Sequence, residues 1–251
     1  MKGWHWIRAD HTLRTGEVVV PNGIYRAVGP LKMCKNGVHA SRRALDALQY
    51  APGPVVCAVE LSGEIQHDTD KSVARERRVV WMADATNVLH EFACTVATDA
   101  LALVEARGMT VDPRSRAAIE AKRGWLRGLT TDADLGTARD AAEDAVRGAA
   151  RDAVRGAARD GAWAAAEAAA WDAVRDATEG AARAAAWNAA WGAARAAAWG
   201  PPGDAARERR ARDAAWTLQN IVLETMLETV RRSLAALEER PTVAGELADA
   251  E

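Results

Sequence analysis

Cys34 and His39 bracket a Lys35-Asn36-Gly37 turn. A thiolate activated by an imidazole is a nucleophile when the two groups touch and a third orients the base, so this pair supplies the candidates for covalent catalysis. The structural alternative makes Cys34 a small buried residue and has His39 fix the turn by hydrogen bonding. Adding Cys57 gives three groups that bind zinc, but without the paired ligand spacing of a zinc site, so no metal is expected. Glu60, Glu64, Asp68 and Asp70 gather around a strand end. General acid and base work needs two carboxylates in different environments, and this group reads instead as a solvated loop. There is no phosphate loop, G-x-G-x-x-G or serine elbow. The Glu-x-Glu pair that many ADP-ribosyl-transferring enzymes use is also missing. The expectation is a protein that is not an enzyme and carries no cofactor.

Aromatic and cationic residues offer a second kind of chemistry. From Arg139 to Trp199 every fourth residue is large, and the three between are almost all Ala, Gly, Asp, Asn or Val. Trp faces stack on bases and Arg binds phosphate, so Arg159, Trp163, Trp171 and Arg175 are candidate contacts for a small nucleotide between helices. Tyr25, His39, Arg123 and Trp125 complete the candidate ligand-binding set. The preferred reading of the same tryptophans is that they anchor helices against one another. The segment carries eight Arg against nine Asp and Glu, a neutral balance that excludes a DNA or RNA polymer as partner.

These residues need elements to hold them. No proline occurs between Pro113 and Pro201, and alanine is the best helix former, so the repeat is helical. Four residues turn about 400°, which moves each large side chain about 40° around the axis, and the row circles the helix. Glycines at 148, 156, 161, 180, 192 and 200 are candidate breaks, with a turn favoured near Asp160-Gly161. Asp84 caps a helix over about 85–106, Asp112-Pro113 opens one over 113–127, and Thr131 opens the repeat helix over 132–199. A last helix spans 204–239, with an apolar seam at Leu223, Met226, Leu227, Val230, Leu234 and Leu237. Before these helices, Val18–Val20, Val55–Leu61 and Val79–Trp81 read as strands between Pro/Gly turns. One helix interrupts them, from Arg42 to Tyr50 with Ser41 as cap. The fold class is α+β: a small β-rich domain over 1–83, a predominantly helical Ala-rich bundle over 84–240, and a disordered tail over 241–251.

The net charge of −2 and pI near 6.2 give no strong field. No apolar run approaches 18 residues, and no signal peptide pattern opens the chain, so no membrane partner is expected. Three cysteines without disulfide spacing point to a reducing cytoplasm.

The stretch Gly23-Ile-Tyr25, then Gly29-Pro-Leu-Lys-Met-Cys34-Lys-Asn-Gly37-Val-His39-Ala40, Val59-Glu-Leu-Ser-Gly63-Glu-Ile and Asp70-Lys71 resembles an uncharacterised domain of phage and prophage accessory proteins. The likeness covers about residues 2–82, and Val38 departs from the aromatic residue usual before the histidine. It implies phage origin and a bacterial host cytoplasm, and no activity. The helical part is similar to the Ala-rich tails that accompany that domain. Arg116 to Gly128 also resembles the opening of an alanine-rich family of bacterial immunity proteins. Together these give the functional expectation: an accessory binding protein that assembles into a homo-oligomer through Ala/Trp helices and sequesters a host protein or small nucleotide signal. The alternatives are a small enzyme using Cys34 and His39, and a structural virion or scaffold component.

Overall fold

The computed structural model describes residues 1–155, 178–197 and 205–238, with the helical positions Ala165, Ala168, Ala169 and Ala173. The fold is α+β. An antiparallel sheet comes first, built from β1 (Lys2–Ile7), β2 (Ile24–Arg26), β3 (Val38–Ala40), β4 (Val55–His67) and β5 (Ser72–Asp84), with the short helix α1 (Ala44–Leu48) between β3 and β4. The long helices are α2 (Thr86–Glu105), α3 (Pro113–Leu126), α4 (Asp132–Arg155), α5 (Thr178–Ala197) and α6 (Ala205–Glu238). Strand order is β1-β4-β5-β2, and β3 also pairs with β5.

The β4–β5 hairpin is longer than the apolar runs that announce it, because each strand continues as long as the other pairs with it, from Val55 opposite Asp84 to His67 opposite Ser72. Val18–Val20 is not a strand. It holds one bridge, Thr12 to Val18, and Val18 and Val20 face solvent while Val19 is buried. The Tyr25 hydroxyl donates to Val18 O (3.1 Å) and accepts from Val20 N–H (3.0 Å), which satisfies this backbone without a strand partner.

Three helix starts follow local chemistry. The Asp84 carboxylate accepts from Thr86 N–H at 2.8 Å, Asp112 accepts from Arg114 N–H at 2.9 Å ahead of Pro113, and Thr131 Oγ1 accepts from Asp134 N–H at 3.1 Å. Ser41 does not cap α1. Its backbone pairs with Trp4 in both directions (2.7 and 3.0 Å), and the helix begins later, at Ala44. Its first amides are met from the far end of the chain: Ala44 N–H donates to Glu224 Oε1 and Leu45 N–H to Asn220 Oδ1, both at 3.0 Å. Trp216 Nε1 donates to Asp46 Oδ1 at 2.8 Å. Asn220 is buried, so Asn220→Ala leaves a buried amide without its acceptor. The expected loss is about 1–2 kcal/mol of unfolding free energy; an unchanged urea midpoint would refute this capping role.

Gly180 lies in the first turn of α5, Gly156 and Gly200 lie outside the described residues, and Gly148 and Gly192 lie inside continuous helices, contrary to their reading as breaks. Each costs about 1 kcal/mol, which the surrounding alanines and tertiary packing outweigh. The turn expected near Gly161 and the tail over 241–251 lie outside the described residues.

Two apolar layers sandwich the sheet. On one side Trp6 and Val56 meet Leu45 and Leu48 of α1, Phe92 and Leu101 of α2, Ala182, Ala185, Ala186 and Ala189 of α5, and Leu223 and Leu227 of α6. The alanine face of α5 and this part of the α6 seam are thus covered within the chain. On the other side Ile7, Val19, Tyr25, Val55, Cys57, Val59, Leu61 and Val79 form a smaller cluster.

Candidate functional site

Successive strand residues face opposite sides of a sheet. In β1, Trp4 and Trp6 therefore pack toward the helices, while His5 shares the side of Ile7. On that second side the loop after β1 contributes Arg14, β3 contributes His39, the end of α1 contributes Tyr50, and β5 contributes Arg77. They border a cleft of two chambers that share His5, Arg14, His39 and Tyr50. The inner chamber, about 190 Å³, reaches Arg77, and the outer, about 300 Å³, reaches Trp4, Cys34 and Lys71. No carboxylate borders either chamber, against the three cations Arg14, Lys71 and Arg77. Gly37, with φ of +132°, forms part of the inner wall; a Cβ there would collide with Val73.

Arg77 is the unusual residue. Its neighbours in the Arg75-Glu76-Arg77-Arg78 run are paired outward: Arg75 with Glu64 (3.1 Å), Glu76 with Arg26 (2.7 Å) and Arg78 with Glu60. Arg77 faces inward, opposite Tyr25 on β2 and Leu61 on β4, and is 2% exposed. Nη1 donates to His39 O at 3.0 Å and the guanidinium lies over the Tyr25 ring at 5.7 Å. Nε is buried without a hydrogen-bond partner. Among the described residues no carboxylate makes an ion pair with it, and burial pushes its pKa below the ordinary arginine value. A guanidinium kept charged in such a place is costly until an anion joins it.

Arg14 Nη2 donates to Tyr50 O at 2.9 Å. Asp70, the nearby acid, accepts from the Tyr50 hydroxyl at 2.6 Å, and Lys71 donates to that hydroxyl at 3.2 Å. His39 Nε2 accepts the backbone N–H of Cys34 at 3.1 Å, so its lone pair is engaged by the backbone and not by the thiol. Cys34 is exposed, against its reading as a buried residue, and sits in the left-handed region with φ of 61°, which directs its amide to the ring. The structure brings Cys34 and His39 together without forming a thiol–imidazole dyad. Cys57 is in the sheet core, where burial pushes its thiol up to about 12.

Both imidazoles are held neutral. Burial, then Arg77, lowers the pKa of His5 well below 6.5, and the same two causes in the same order lower that of His39. The sign follows by linkage: below about pH 6.5 the unfolded chain takes up protons that the fold refuses, so stability falls with pH until the folded-state pKa is passed. The unliganded protein should melt at a lower temperature at about pH 5.5 than at about pH 7.5, and His5→Gln should flatten that slope. A slope of opposite sign, or one unaffected by the substitution, would contradict a neutral His5.

The other expected site residues lie elsewhere. Tyr25 is 7% exposed with its hydroxyl engaged, so it seats Arg77 from beneath and does not border the cleft. Arg123 donates to Glu91 (3.0 Å) and Glu120 (3.1 Å). Trp125 donates to Asp132 at 2.7 Å, with its ring edge-on to His90 and under Lys122. Both residues brace α2, α3 and α4 against one another. Arg159, Trp163, Trp171 and Arg175 lie outside the described residues. Glu60 and Glu64 are in exposed ion pairs, Asp70 in the bond to Tyr50, and Asp68 at the hairpin turn.

His5, Arg14, Tyr50, Lys71 and Arg77 were not among the expected site residues. Arg77 had a legible signal: it stands two residues before Val79, so with a period of two it shares the face of a core residue. In a run of charges that parity is easily read as a solvated face.

Residues 1–91 match the model of a family described as a domain of unknown function, DUF7666. The match spans the whole sheet and the first turns of α2, and so includes every residue of the cleft. No curated protein and no solved structure matches the chain.

Proposed function

We propose that this chain binds a small phosphorylated ligand, without transforming it, in the cleft bordered by His5, Arg14, His39 and Arg77. One observation carries the reading: a guanidinium 2% exposed, lacking an ion pair among the described residues, with Nε buried and unpartnered. A phosphate oxygen at that place supplies both the missing acceptor and the missing charge. The absence of a carboxylate from both chambers and the nearby Arg14 and Lys71 support the same sign of ligand. Binding in place of catalysis is supported by the engagement of the His39 lone pair with the backbone of Cys34.

A phage-type accessory protein is consistent with this reading, since capture of a phosphorylated signal is one way to blunt a host response; that step rests on resemblance and not on geometry. Assembly through the Ala/Trp helices is not required for it.

Titration calorimetry with pyrophosphate tests the proposal. One site per chain, weakened by added salt, is the expected result; no heat of binding under low salt overturns it. A second reading is an enzyme acting on the same ligand, with His5, which borders both chambers, as its candidate base. Phosphorus NMR of the bound ligand separates the two: an unchanged spectrum on long incubation supports capture, and new resonances support turnover.

A further inference from the structure

We infer that the ligand is a nucleoside diphosphate, held with its phosphates in the inner chamber and its base in the outer one. This rests on the phosphate reading above and adds the other half of the molecule. The inner chamber, about 190 Å³, holds the buried cation and is too small for a whole nucleotide, since pockets for drug-sized ligands run to about 300–1,000 Å³. The outer chamber, about 300 Å³, continues from it past His5, Arg14, His39 and Tyr50, with Lys71 and Trp4 in the places that Arg77 and Trp6 take in the inner one. Beyond the shared residues its wall is Trp4, Cys34, Ala40, Ser41, Ala47 and Lys71.

Trp4 is held in place. Its ring meets Trp81 edge-on with centroids 6.0 Å apart, and its backbone pairs with both Ser41 and Ala58. A fixed indole beside small aliphatic residues suits a flat aromatic group, which gains by stacking without needing sequence-like hydrogen-bond readout. At the rim the Tyr50 ring already carries the Lys71 ammonium at 4.3 Å, within reach of the same ligand. The buried Arg77 guanidinium in one chamber and the Trp4 indole in the other match a ligand that is anionic at one end and aromatic at the other. A free inorganic anion would leave the outer chamber without a role.

Calorimetry with pyrophosphate, ADP, UDP and adenosine tests this. ADP or UDP is expected to bind about tenfold or more tightly than pyrophosphate. In Trp4→Ala that advantage is expected to vanish while pyrophosphate affinity stays within about twofold. Circular dichroism establishes whether that variant folds; if it does not, Tyr50→Ala at the exposed rim serves in its place and should lose at least half of the advantage on a logarithmic scale. Equal affinity for pyrophosphate and both nucleotides overturns the base subsite while the phosphate reading stands. Binding of adenosine as tight as that of ADP, with none of pyrophosphate, overturns the phosphate reading, and no binding of any of the four overturns both.

Discussion

Arg77→Met should remove pyrophosphate binding, by about 100-fold or more, while leaving the unliganded protein as stable as the parent or more so. The two halves have one cause. In the free protein the guanidinium is buried at 2% exposure with one hydrogen bond, to His39 O, and an unpartnered Nε. Replacing a poorly compensated buried charge by an apolar side chain of similar length is often neutral or stabilising, by roughly 1–4 kcal/mol, and this gain offsets the lost hydrogen bond of about 1 kcal/mol. In the complex the same group is the buried half of a charge pair, and its truncation costs about 2–5 kcal/mol. Thermal unfolding of the free variant, alongside calorimetry, reads both. A variant destabilised by several kcal/mol that still bound pyrophosphate would make Arg77 a structural residue and remove the basis of the proposed function.

Phe92→Ala should cost about 3–5 kcal/mol, the usual price of emptying a fully buried aromatic site. Phe92 is the chain's single phenylalanine and is 0% exposed. It lies in a core that joins Trp6 and Val56 of the sheet, Leu45 and Leu48 of α1, and Leu223 and Leu227 of α6. For a chain of this size each kcal/mol moves the melting temperature by about 2–4 °C, so a fall of roughly 6–20 °C is expected. Because that core is shared, sheet and helices should melt together before and after the substitution, followed by near-ultraviolet and far-ultraviolet dichroism. Two separate transitions, with only the helical one displaced, would show the sheet to be an independently folding unit.

The cleft was only partly legible in advance. His39 is recognisable from its place after a Gly37 turn, and Cys34 from its place before it, but the bond between them runs from backbone amide to ring nitrogen. That geometry depends on Cys34 adopting a left-handed φ, which a non-glycine residue adopts only in particular turns. Arg14 and Arg77 are distant in sequence and border the same chamber because β1, which leads into the Arg14 loop, and β5 flank β4 in the same sheet. Among the helical candidates, Arg123 and Trp125 have the residue types of a ligand site, yet they hold Glu91, Glu120 and Asp132. Residue type alone does not distinguish a contact to a ligand from a contact to the next helix.

By itself the sequence determined what short-range chemistry governs: the helix starts at Asp84, Asp112 and Thr131, the strands at Val55–Leu61 and Val79–Trp81, and the α+β class. Each depends on groups within a few residues of one another, or on a period that any compact partner will respect. The tertiary structure decided which charged side chains are buried, Arg77 and Lys122 among them, what caps α1 and where the alanine faces go. The caps of α1 come from Asn220 and Glu224, 175 and 180 residues away. Whether Arg77 faces water or protein depends on which side of the sheet a second layer covers. A row of large residues with period four on a helix with period 3.6 favours no face of its own.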